Sequence, residues 1–91
     1  MSKINDYIEQ RQLNNPEFKI AFQQEKANLE AALAISDLRH SLHLSQRAFA
    51  QLVDKPQSTI SRIEHGNMNV STKVLSEIAT ATHKQLKIEF V

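Results

Sequence analysis

Four histidines, His40, His43, His65 and His83, are the residues most able to bind a metal or move a proton. His40 and His43 stand three apart and supply two ligands, with no carboxylates on one helix to complete a set, so no metal site is expected. Cysteine is absent, which excludes a disulfide, a thiolate site and a cysteine nucleophile. No nucleophile elbow and no glycine-rich phosphate loop occurs in a chain with a single glycine. The expectation is a protein with no catalytic residues and no cofactor, not an enzyme.

The informative spacing lies in residues 46–64, QRAFAQLVDKPQSTISRIE. Two short helices flank a three-residue turn. Phe49, Val53, Ile60 and Ile63 can converge on a small core, and Ala50 is small where the second helix must cross closely. Such a layout is a helix-turn-helix, whose second helix enters the major groove of DNA.

The elements around it must hold that pair. Residues 1–15 form a polar arm or short helix in which Ile4, Tyr7 and Ile8 make a stripe at i, i+3, i+4. Asn15 is placed to cap the next helix, with Pro16 at its first position. Residues 17 to about 41 read as one helix or two joined ones, with Phe18, Phe22, Leu29, Ala32 and Leu33, then Ile35, Leu38 and Leu42, at helical steps. A helix of about 24 residues is about 36 Å long, so part of it is expected to project from the core or to bend near Ile35. Ser45 is an N-cap for residues 46–53, where Phe49, Leu52 and Val53 share a side. Asp54-Lys55-Pro56 interrupts, and residues 57–65 follow with Ile60 and Ile63 inward. Gly66 sits where a left-handed residue closes a helix. Asn69 or Ser71 caps a last helix reaching Ala81 or Thr82, with Val74, Leu75, Ile78 and Ala79 buried. Leu86, Ile88 and Phe90 then alternate with Lys87 and Glu89, the pattern of a half-buried strand. A lone strand must pair with a second copy, a partner's sheet edge or the amino-terminal arm.

The stretches LSQRAFAQLV and PQSTISRIEHG resemble the Xre/Cro-type, lambda-repressor-like DNA-binding domain over about residues 35–82. The resemblance implies an all-α bundle of about five helices, with the short C-terminal β-strand added by the tail. Three departures stand out. His43 and Asp54 occupy positions where the family commonly has a left-handed glycine, and Lys55-Pro56 replaces the usual apolar residue and Ser/Thr cap. Aspartate and histidine tolerate positive φ better than most residues, so the turn is expected to survive.

Carried over by position, the resemblance puts Gln57, Ser58, Thr59 and Arg62 on the DNA-reading face. Glutamine can bond adenine bidentately and arginine guanine. Ser45 and Gln46 begin the preceding helix, where N–H groups and the dipole attract phosphate. Arg47, Ser61, Asn67, Asn69 and Lys73 are further backbone contacts. Arg39 and Glu64 match positions that form a partly buried ion pair, a structural role.

The wider arrangement, a polar arm before NPEFKIAFQQEKANLEAALAISDLR, the helix-turn-helix, and a final QLKIEFV, is similar to HigA-type antitoxins of type II toxin–antitoxin systems. That resemblance implies a homodimer that binds operator DNA, represses its own operon and neutralises a RelE-like mRNA endonuclease. Ile4, Tyr7, Ile8, Phe18 and Phe22 are not needed by the DNA module and are the expected toxin-facing residues. One small domain is expected, the helix-turn-helix DNA-binding unit at 16–91 with its long leading helix and C-terminal strand, preceded by an arm or short helix at 1–15. The alternative is a stand-alone phage-type repressor with no toxin partner, and a third reading is an interaction module that no longer binds DNA.

The bulk properties fit either regulator. The 91 residues carry a net charge of +1, with 41% hydrophobic and 23% charged residues, the profile of one small globular unit. Residues 1–43 hold five basic and six acidic groups, and residues 44–91 six basic and four acidic, so the second half is the better face for a polyanion. No apolar run approaches a membrane span and no leader-like stretch follows Met1, which sets the cytoplasm as the expected compartment.

Overall fold

The computed structural model describes residues 16–91, which form four helices. Helix α1 spans Pro16–Ser41, α2 Gln46–Leu52, α3 Gln57–Glu64 and α4 Thr72–Ala81. The arm with Ile4, Tyr7, Ile8 and Asn15, and with it the fifth helix, lies outside the described residues.

The core is built from one or two side chains of every helix. Ile35 comes from α1, Phe49 and Ala50 from α2, Val53 from its end, Ile60 and Ile63 from α3 and Ile78 from α4. Leu38, Leu42, Leu44, Met68, Val70, Val74, Leu75 and Ala81 pack around them, half-buried. Helix α3 is the hub: its main partners are α1 and α2. It therefore cannot rotate without uncovering Ile60 and Ile63.

Helix α1 is a single unbroken helix of 26 residues, about 39 Å long at 1.5 Å per residue, and it sets the 44 Å long dimension of the described residues. It does not bend at Ile35. Its core face is Ala32, Ile35, Leu38 and Leu42. Leu29 and Leu33, expected to share that stripe, are each 56% exposed. At 100° per residue they fall with Phe18 and Phe22 on a separate line, roughly 135° around the helix from the core face. Phe18 and Phe22, four apart, stack with ring centroids 6.4 Å apart. Leu52 is likewise not inside with Phe49 and Val53 but 47% exposed. Of the four residues expected to be buried on α4, only Ile78 is fully so; Val74, Leu75 and Ala79 are half-buried.

All four helices close the same way. Backbone N–H groups of the two residues after the cap reach back to the last turn: Leu44 to Arg39 O and His43 to His40 O; Lys55 to Ala50 O and Asp54 to Gln51 O; Asn67 to Arg62 O and Gly66 to Ile63 O; Lys84 to Ala79 O and His83 to Thr80 O. Each closure requires a left-handed residue. Glycine supplies it once, Gly66 at φ 73°, while His43, Asp54 and His83 supply it at 58°, 56° and 58°. Only Gly avoids the Cβ–carbonyl crowding of that conformation. His83→Gly is therefore expected to stabilise the fold by roughly 0.5–1 kcal/mol, the relief of αL strain less the added freedom of the unfolded chain. A thermal melt checks this; an unchanged or lower midpoint contradicts it.

No strand is present among the described residues. After Lys84 the chain runs without regular structure: Leu86 is half-buried in an apolar cleft of about 200 Å³ with Ala34, Leu38, Leu75 and Ile78. Ile88 and Phe90 are exposed. The reason is the ladder: an extended segment needs a neighbour for its N–H and C=O groups, and the described part of one chain offers no sheet edge.

Candidate nucleic-acid interface

Helix α3 presents two unlike faces because its sequence does. At 100° per residue, Ile60 and Ile63 with half-buried Thr59 and Glu64 fill one arc, and Gln57, Ser58, Ser61, Arg62 and His65 fill an opposite arc of about 140°. Gln57, Ser58 and Arg62 are exposed, and Ser61 is half-buried. Thr59 is half-buried and set toward the core side rather than in the middle of the outward arc.

The start of α3 is open. Pro56 stands at the N-cap in extended conformation and offers no side-chain cap. Its carbonyl accepts the N–H groups of Thr59 at 3.0 Å and Ile60 at 3.3 Å. The N–H groups of Gln57 and Ser58 belong to the first turn, which has no intrahelical acceptors. Helix α2 starts differently: Ser45 caps it by accepting the Ala48 N–H at 3.1 Å. Ser45 and Arg47 are exposed there, and Gln46 is half-buried.

Two ion pairs flank α3, one on its last residue and one from the turn before it. At the C-terminal end, Arg39 of α1 donates from Nε and Nη2 to the two Glu64 carboxylate oxygens at 2.9 and 3.0 Å. Its Nη1 donates to the Leu44 carbonyl at 3.0 Å. One side chain thus joins α1, the loop before α2 and the end of α3. The two side chains are 14% and 8% exposed, and hydrogen bonding to Glu64 holds the Arg39 guanidinium above its usual value, against the opposing effect of burial. At the other end, Lys55 in the turn donates to Glu77 of α4 at 2.8 Å. That bond, more than charge alone, holds the exposed Glu77 carboxyl below the usual carboxylate range, with Lys73 adding to it. The Lys55–Glu77 pair is not readable from local spacing, because its members are 22 positions apart.

Asn67 and Asn69 are exposed in the loop after α3, and Lys73 is exposed in the first turn of α4. Ser71, not Asn69, caps that helix by accepting the Val74 N–H at 3.1 Å. His65 stands four positions from Ser61 and eight from Gln57, so helical spacing alone sets it on the outward arc. Among the described residues no group of three or more side chains could hold a metal ion, and no helix is long and apolar enough to cross a membrane.

An exposed polar arc on a short helix, tied to α1 at its C-terminal end and preceded by a capped helix at a tight turn, is a shape that can insert into a groove and hydrogen-bond to base edges. The profile of the helix-turn-helix family matches residues 35–87, more than half of the 91-residue chain. The matched stretch contains the whole core cluster and both ends of the turn. No curated protein and no solved structure is matched. With its two helices, its turn and its outward arc in place, the chain belongs to the Xre/Cro-type helix-turn-helix family of DNA-binding transcription regulators.

Proposed function

We propose that this protein is a HigA-type antitoxin: it represses its own operon through operator DNA and neutralises a RelE-like mRNA endonuclease. The observation that carries the toxin half of the reading is the amino-terminal half of α1. A DNA module has no use for it, yet it bears Ile20 at 61% exposure and the Phe18–Phe22 stack, whose line runs on into the second half of the helix through Leu29 and Leu33. An apolar line of this kind, carried beyond the core, suits a protein partner. In this reading Phe18 and Phe22 face the toxin, together with Ile4, Tyr7 and Ile8 of the arm.

The DNA half rests on α3. Gln57, Ser58 and Arg62 read bases, with Thr59 beside them. Ser45, Gln46, Arg47, Ser61, Asn67, Asn69 and Lys73 hold phosphates, and Lys73 divides its charge between DNA and Glu77. One such unit makes few contacts, so two copies act as a homodimer on half-sites about 34 Å apart.

The second reading is a stand-alone phage-type repressor. It is favoured by the family match, which covers residues 35–87 and leaves out most of α1. A pull-down with the product of the adjacent gene separates the two. The antitoxin reading expects a small basic RelE-like protein there, bound by the full chain and bound less well once residues 1–15 are deleted or Phe18 and Phe22 are changed to alanine. An unchanged pull-down from these variants removes the arm and the phenylalanines from the toxin surface. Absence of any complex with the full chain leaves the stand-alone repressor.

A further inference from the structure

His65 is the one side chain of the outward arc with no role in the reading above. It follows α3 directly, in helical conformation at φ −82° and ψ −5°, so it continues the row of Gln57 and Ser61. The residue is exposed. Its ring is tied back over the last turn, with Nδ1 2.6 Å from the Ser61 carbonyl oxygen and 3.4 Å from the Ser61 hydroxyl. A carbonyl oxygen only accepts, so Nδ1 carries the hydrogen. In the neutral ring Nε2 is then a bare acceptor, and it donates only when the ring holds a second proton.

A helix-turn-helix presents the first residues of its second helix to the bases. His65 lies at the opposite end, about 12 Å along the axis from Gln57 at 1.5 Å per residue. A helix seated that way would bring this end to the sugar–phosphate backbone. Phosphate oxygens accept and never donate.

We propose that His65 is a further DNA contact, an imidazolium whose Nε2 donates to a backbone phosphate, so that binding takes up a proton; this rests on the DNA reading of α3. The charged group of a neighbouring element that reaches this end is Arg39 of α1, through its bonds to Glu64. Arg62 and Glu64 flank it on α3 itself. Glu64 is engaged by Arg39, and the loop that follows carries only the neutral Asn67 and Asn69 before Lys73. The imidazolium would therefore add a cation to those of Arg62 and Lys73, at an end where Arg39 is taken up by Glu64.

The test uses the full chain and a duplex taken from upstream of its own gene, titrated at about pH 6 and about pH 8, where an imidazole changes charge. The wild type is expected to bind about three- to tenfold more tightly at the lower pH. His65→Gln, which keeps a polar side chain, should lose most of that pH effect and, at the lower pH, about one unit of the dependence of log affinity on log salt. His65→Lys, a cation at both pH values, should bind tightly at both. If His65→Gln keeps the wild-type affinity and pH profile, the proposal is overturned while the reading of α3 stands. If the wild type shows no salt-dependent binding at either pH, the reading of α3 fails and takes the proposal with it.

Discussion

Phe49→Ala is expected to cost about 3–5 kcal/mol, the range for truncating a fully buried aromatic residue. A domain of this size has roughly 5–10 kcal/mol to lose, so the variant should melt tens of degrees earlier or without a cooperative transition. Phe49 is wholly inaccessible, and it packs in the same cluster as Ile35, Ile60, Ile63 and Ile78. Removing its ring leaves a cavity that α3 cannot readily close, because Arg39–Glu64 holds its C-terminal end to α1 and Ile60 and Ile63 are buried in the same cluster. Leu52, three positions on, is the control. Nearly half of it is in solvent, so Leu52→Ala should cost less than about 1 kcal/mol. Thermal unfolding followed by circular dichroism reads both. Equal losses for the two variants would mean that α2 is turned differently from the orientation described.

Arg62→Ala should weaken binding to the specific site by about 1–3 kcal/mol, the worth of one bidentate base contact, and should relax the base preference at that position. Arg62 is exposed on the outward arc of α3 and holds no ion pair among those formed by the described residues. The loss should therefore show in binding and not in the melting curve. Gln46→Ala, at the start of α2 where N–H groups face phosphate, should weaken all sequences about equally. Equal losses for Arg62→Ala on operator and random DNA would strike it from the base-reading set.

Much of this arrangement was legible because local rules decide it. Ser45 and Ser71 cap because a side-chain oxygen must take a first-turn N–H, and Gly66 closes α3 because a left-handed residue is needed there. Ile60 and Ile63 turn inward because they are three apart on a helix otherwise polar. Other features depend on choices made at a distance. Helix α1 has two apolar lines, and periodicity cannot say that Ile35 and Leu38 enter the core while Leu29 and Leu33 face solvent. That choice is fixed by where α3 lies. His83 at positive φ was not legible, since no turn signal marks that position and only the helix closure demands it. The tail carries the alternation of a strand, but alternation describes a face and not a ladder. Without a neighbouring edge, Ile88 and Phe90 remain in water.

The exposed polar arc of α3 is either a reader of DNA or a solvated surface. The direct measurement is a titration of the full chain against the DNA upstream of its own gene and against an unrelated duplex, at about 50 and 200 mM salt. The account predicts that the upstream DNA binds at least about 10³-fold more tightly. Both affinities should fall steeply as salt rises, because each phosphate contact releases counterions. Equal affinity for the two duplexes, or binding indifferent to salt, would contradict it.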